Sequence, residues 1–246
     1  MEQSPNTPPN PAPRPTQPPA ATPLPGALSL FGPSWQAFTL NWKTFVLGSL
    51  APLAFLFLPV ILLISNATIN GINDRTHTAH TTTATVNILS IVLGTVGVIL
   101  VAFFFLPFMY YVKFQSAKGV KIGFKDAFRS SRPFVFKLVG LAICRGLIIL
   151  GGFILLIVPG LFMWRRYMLA PYYMIDKNLG IGDSLKMSAV NTKPYSSAIW
   201  GMEGVYIFMS VIGIVPLIGG IIGGIMSLIY CCAQAIRYTQ IEKVKA

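Results

Sequence analysis

The sequence predicts an all-α membrane protein with six transmembrane helices arranged as three hairpins, each preceded by an amphipathic interfacial helix. Three observations predict it. Of 246 residues, 54% are hydrophobic and only 11% charged, with mean hydropathy +0.65, whereas about a quarter of residues are charged in soluble domains. Apolar runs close to the ~20 residues that a helix needs to cross a roughly 30 Å hydrocarbon layer recur after residue 44. An aromatic and basic pattern precedes each pair of runs. The net charge of +12 therefore reads as membrane topology and attraction to anionic lipid. No aromatic-interleaved basic stripe points to nucleic acid.

Residues 1–27 carry ten prolines and almost no large apolar side chain, so they cannot bury enough surface to offset the entropy of ordering. They are expected to form a disordered cytoplasmic tail, a solvated tether or a polyproline ligand for a partner protein. They lack the basic start and apolar core of a signal peptide. The membrane domain covers 28–240, and 241–246 is a short cytoplasmic tail.

Spans 45–65 and 86–110 make a hairpin around the polar loop "NATINGINDRTHTAHTTTAT", in which Arg75 is balanced by Asp74. The next loop carries Lys113, Lys118, Lys121, Lys125, Arg129 and Arg132, so the positive-inside rule makes it cytoplasmic and the first loop external. The third span, 134–157, closes at "VPG", 158–160. The fourth, 161–175, is short. Spans 197–215 and 217–238 meet at a tight external turn at Pro216. Both termini are then cytoplasmic, and of nineteen Lys and Arg only Arg75 lies in an external loop.

A threefold repeat underlies this order. "WQAFTLNWKTFVLGSLA" (35–51), "FKDAFRSSRPFVFKLVG" (124–140) and "LKMSAVNTKPYSSAIWG" (185–201) align without gaps. Each has a base at its ninth position, Lys43, Arg132 or Lys193, and an aromatic two residues on. Helical spacing puts Trp35, Phe38, Trp42 and Phe45 on one face, the mark of a helix lying in the membrane interface. Trp35, Trp42, Lys43, Arg132 and Lys193 are the expected interfacial anchors.

The string "RRYMLAPYYMIDKNLGIGDSLKMSAVNTK", 165–193, resembles the signature of a broad group of poorly characterised bacterial six-span integral membrane proteins related to the membrane domain of glycerophosphodiester phosphodiesterases. The pattern falls on Arg166, Tyr167, Leu169, Ala170, Pro171, Asp176, Gly180, Leu185, Ser188, Thr192 and Lys193, with Pro194 where a glycine is more usual. "LFGPSWQAFTLNWKTF" is similar to that family's amino-terminal helix. The resemblance spans about 28–240 and implies the six-span fold and a place in the inner cell membrane. It carries over no phosphodiesterase activity, because no catalytic domain accompanies these residues.

Ionisable groups within a span cost several kcal/mol unless paired or hydrated. Arg145 lies thirteen residues past Arg132, Glu203 ten past Lys193, and Arg166 and Arg165 ten and eleven before Asp176. At 1.5 Å per residue these depths agree within about 5 Å, so the four are expected to meet near mid-bilayer. Their charges sum to +2. Either Glu203 clamps Arg165 or Arg166 while the other arginines snorkel to an interface, or the surplus charge meets an anion such as a lipid phosphate.

Other features carry less. Gly219, Gly220, Gly223 and Gly224 form overlapping G-x-x-x-G spacings, suited to internal packing or to homodimerisation. Pro52, Pro59, Pro107 and Pro171 kink spans or free carbonyls for a cavity. His77 and His80, with Asp74, are too few for a metal site. Cys144, Cys231 and Cys232 read as packing residues, with acylation of the last two the alternative. No Ser-His-Asp set, phosphate loop or carboxylate pair appears, so neither an enzyme nor a cofactor is expected. The expected function is a membrane scaffold or lipid-interacting protein with a buried Arg/Glu cluster. The alternative is a small transporter or channel for an anionic or lipidic solute.

Overall fold

A computed structural model describes residues 23–50, 64, 81–213 and 218–245, and every regular element among them is helical. The first unit is α1 (Phe31–Leu40), α2 (42, described to 50) and the 37-residue α3 (Thr81–Ala117). The second is α4 (Phe124–Ser131), a tight turn at Arg132–Phe134, α5 (Val135–Leu155), α6 (Ile157–Tyr167) and α7 (Ala170–Lys177). The third is α8 (Ile181–Thr192), α9 (Ser196–Gly213), α10 (Ile218–Ile229) and α11 (Ala233–Lys245). Of the expected loop 66–85, residues 66–80, with His77 and His80, lie outside the described residues, as do Pro52, Pro59, the turn at Pro216 and residues 1–22, while 81–85 open α3.

Each unit begins with a short helix that breaks before the next; the second and third breaks fall where the aligned strings carry their base, and the first falls at Asn41, two residues before Lys43. At 132–134 and 193–195 the cause is Pro133 and Pro194, which lack the N–H that would continue the helix. No proline breaks α1. Asn41 leaves the helical region, with φ −123° and ψ 24°, because its carboxamide bonds elsewhere. Its Nδ2 donates to Ser116 Oγ and to the Val120 carbonyl, both at 2.9 Å. Its Oδ1 accepts the Ile122 N–H at 2.8 Å, and Thr44 Oγ1 donates to the Ile122 carbonyl at 2.8 Å. The α3–α4 loop, turned by Gly119 at φ 75°, is thereby stapled to the α1–α2 junction.

Four boundaries differ from the sequence expectation. The second span, 86–110, is longer at both ends, as α3 (Thr81–Ala117). The third span ends at Leu156, an extended residue, and "VPG" sits inside the first turn of α6, where a proline displaces no hydrogen-bonded N–H. The fourth span, 161–175, divides into α6 and α7, with Pro171 in the first turn of the latter. The last, 217–238, divides at Tyr230–Cys232 into α10 and α11, and α11 continues to Lys245 through residues expected to be tail. The tail expectation also ends early: residues 23–27 are held on the protein. Arg237 Nη1 donates to the Pro25 carbonyl at 3.0 Å and Tyr230 Oη to the Ala27 carbonyl at 2.9 Å.

Two regions emerge. The base packs α1, the end of α3, α7, α8 and α11 around Tyr172, Tyr173 and Tyr238, whose rings meet edge-on or tilted; residues 170–175 are all buried. From it project the antiparallel pairs α5–α6 and α9–α10. Their contacts are backbone-close: a Cβ on Gly152 would stand 2.9 Å from the Gly160 Cα, and one on Gly223 would stand 3.1 Å from the Gly213 Cα. Gly223 of the glycine repeat is thus used within the chain. One stretch among the described residues, Phe124–Leu155, is long and apolar enough to cross a membrane: 32 residues, mean hydropathy 2.3, with 11% of its apolar window buried.

Candidate functional site

The residues between base and projecting hairpins include the four charged groups singled out by depth. Arg145 comes from α5, Arg165 and Arg166 from the last turn of α6, and Glu203 from the first half of α9. Glu203 is buried. Its Oε2 accepts the Trp164 indole N–H at 3.1 Å, while Oε1 has no hydrogen-bond partner among the described residues. The Arg145 guanidinium lies 6.0 Å from the centroid of the same indole, and Gln234 on α11 faces the same carboxylate. Trp164 is therefore the mediator between Arg145 and Glu203, which depth counting alone misses.

Arg165 and Arg166 diverge, as adjacent residues on a helix must. Arg165 is 7% exposed, its guanidinium lies 5.1 Å from the Phe162 ring centroid, and its Nε is buried without a partner among the described residues. Arg166 contributes through its backbone: Ser188 Oγ donates to its carbonyl at 2.6 Å and Thr192 Oγ1 at 3.4 Å. That clasp joins α8 to the end of α6 and gives a packing role to Ser188 and Thr192 of the 165–193 signature. The ion pairs among the described residues are Lys118–Asp176 and Lys177–Glu242, each at 2.6 Å; no arginine of the cluster pairs with Glu203. The interfacial anchors Trp35, Trp42, Lys43, Arg132 and Lys193 are all exposed. Lys43 stands over Trp42 and Arg132 over Phe128.

The most completely buried cation is another one. Arg237 has no exposed surface; beyond the Pro25 carbonyl it reaches only Gln240 Oε1, at 3.0 Å, and its Nε and Nη2 have no partner among the described residues. In the sequence it reads as an ordinary cytoplasmic charge. Asp176, by contrast, is well partnered: Lys118 Nζ and Tyr238 Oη each donate to it at 2.6 Å. Burial pushes its carboxyl up, but the two hydrogen bonds and the charges of Lys118 and Lys177 outweigh burial and hold it below the ordinary value. Among the described residues, no group of three or more His, Cys, Asp or Glu is placed to hold a metal ion.

The chain matches no family model, and no curated protein or solved structure is similar to it.

Proposed function

We propose that this chain is a non-enzymatic integral membrane protein of the inner membrane, a scaffold or lipid-interacting protein whose arginine cluster takes an anionic phospholipid headgroup. Its six apolar legs pair as three membrane-inserted hairpins, with both termini cytoplasmic. The membrane assignment is supported by the projecting hairpins, whose outward side chains include Leu147, Ile154, Phe208, Val211 and Ile225, all exposed. In water such a surface costs roughly 25 cal/mol per Å² of apolar area left uncovered.

The observation that carries the headgroup reading is the unanswered charge. Of the three arginines Arg145 acts on the Glu203 carboxylate through space, none forms an ion pair with it, and Arg165 keeps a buried donor without a partner among the described residues. A lipid phosphate supplies acceptor oxygens that suit the planar guanidinium fork. Protein extracted in mild detergent is expected to retain anionic phospholipid, and Arg165→Ala with Arg166→Ala to release it. Lipid analysis showing equal retention in the double variant would end this reading.

A further inference from the structure

Sequence counting makes all three hairpins cross. We infer that the second and third hairpins, the apolar stretch Phe124–Leu155 included, instead enter only the cytoplasmic leaflet. This rests on the membrane reading above and fixes how deep each part sits.

The water-side boundary can be traced along one level of the fold. The proline-rich N-terminal segment reaches α9 at Gly201, where an added Cβ would stand 3.4 Å from the Ala27 Cβ. Between residues 23–27 and 194–201 lies a recess of about 420 Å³ that includes Ser196 and Ser197. At the same level Ala27 accepts from Tyr230, and Phe31, the first residue of the aromatic-rich α1, rests on Tyr230 with ring centroids 4.8 Å apart. Glu203 is two residues beyond Gly201, and Trp164 and Arg145 are tied to Glu203 and to each other as described. The charged cluster thus sits within one turn of the level where the tail docks and α1 begins.

Beyond that level little helix remains. Residues 146–155 of α5 and 204–213 of α9 are ten residues each, about 15 Å at 1.5 Å per residue, or half of a roughly 30 Å hydrocarbon layer. The tips are also wrong for the far surface. Leu155, Leu156 and Ile157 are 77%, 69% and 70% exposed, with no polar side chain among them, and the α9–α10 connection reads Ile-Val-Pro-Leu. A turn that surfaced among far headgroups would need polar side chains and hydrated backbone. The sequence before α3 supplies such side chains in "NATINGINDRTHTAHTTTAT". Past that string α3 is also long enough: residues 86–107, before the buried Phe108 of the base, span about 33 Å. At this depth Arg145, Arg165, Arg166 and Glu203 lie at headgroup level, where an arginine meets lipid phosphate without crossing hydrocarbon.

The test uses the full chain with its three cysteines replaced by serine and single cysteines placed at Leu156 and Val211. Thr78→Cys, in the loop of the first hairpin, serves as the external control and Val190→Cys, exposed on α8, as the cytoplasmic one. A membrane-impermeant maleimide applied to intact spheroplasts and to inverted vesicles is expected to label each control from one side, and to label positions 156 and 211 from neither until detergent is added. Labelling of 156 from outside overturns the inference but leaves the membrane reading standing; labelling of 156 from the cytoplasmic side overturns both. Nitroxides at 147, 150 and 156 give a second reading that does not depend on reactivity. Their contrast between oxygen and a nickel chelate is expected to rise steadily toward 156, whereas a fall from 147 to 156 would mean a full crossing with mid-bilayer near Arg145.

Discussion

The base and the projecting hairpins of this protein are held together by opposite means. In the base, polar side chains reach across elements distant in sequence: Asn41 to Ser116 and Val120, Asp176 to Lys118 and Tyr238, and Glu242 to Lys177 and Tyr173. In the hairpins the contacts are helix backbone against helix backbone at Gly152, Gly160, Gly213 and Gly223. On the proposed membrane placement the difference follows from the two solvents. Where water competes, a buried polar group must be satisfied and specifies its partner; where lipid surrounds the helices, apolar burial gives no preference for protein over lipid, and close approach of small residues takes its place.

If that contrast is real, the base should fail when a hydrogen-bonding group is removed. Asn41→Ala strips partners from Ser116, the Val120 carbonyl and the Ile122 N–H together. It is expected to cost about 3 kcal/mol, the largest single effect in the molecule, since each unsatisfied buried group costs roughly 1–3 kcal/mol. Thermal unfolding in detergent measures it, and a loss below that of an exposed alanine substitution would mean that the staple is ornamental. The hairpins should fail when an atom is added. Gly152→Ala pushes a Cβ to 2.9 Å from the Gly160 Cα, backbone that has no rotamer to retreat into, and is expected to cost about 2 kcal/mol by overpacking.

How far the sequence revealed this division depends on the kind of interaction. Helix content and the breaks at Pro133 and Pro194 were legible, because propensity and the missing proline N–H are local; the single face of Trp35, Phe38, Trp42 and Phe45 is not kept, since the helix breaks at Asn41 and Phe45 is buried while the two tryptophans are exposed. Asn41 was not: nothing near it in sequence announces partners at 116–122. Depth along the helices matches Arg145 to Glu203 but gives neither their link through Trp164 nor the separate places of Arg165 and Arg166, because it fixes height along a helix and not the direction in which a side chain leaves it. Arg237 was read as a surface charge. Its burial depends on the tail residues 23–27, whose composition points to disorder and gives no sign that Pro25 and Ala27 accept hydrogen bonds from the core.

A subtler contrast is in the response to pH. The Asp176 carboxyl is held below its ordinary value, so its contribution is fully present above the unfolded value, near about 3.9, and is lost as pH falls through the lower folded value. Acid should therefore loosen the base through this residue below about pH 4. Asp176→Asn is expected to cost about 1.5 kcal/mol at neutral pH, as for the loss of a hydrogen bond to a charged group, and to flatten that part of the acid limb. Melting curves of wild type and variant from pH 6 to 3 that run parallel would show that Lys118 and Tyr238 do not stabilise the ionised form.

The smallest expected effects exchange the two operations between the two regions. Gly182, near the start of α8 in the base, has nothing within 4 Å of the position a Cβ would take. Gly182→Ala should therefore be silent or stabilising by up to about 1 kcal/mol, the difference in helix propensity. Ser210, on α9, is exposed and donates to the Tyr206 carbonyl four residues back at 2.9 Å, an acceptor that already belongs to the helix ladder. Ser210→Ala should change stability by less than about 0.5 kcal/mol. Measured beside Asn41→Ala and Gly152→Ala, the pair separates region from chemistry. If Ser210→Ala proved as costly as Asn41→Ala, or Gly182→Ala as costly as Gly152→Ala, sensitivity would follow the type of substitution wherever it is made, and the two regions would not differ in how they are held.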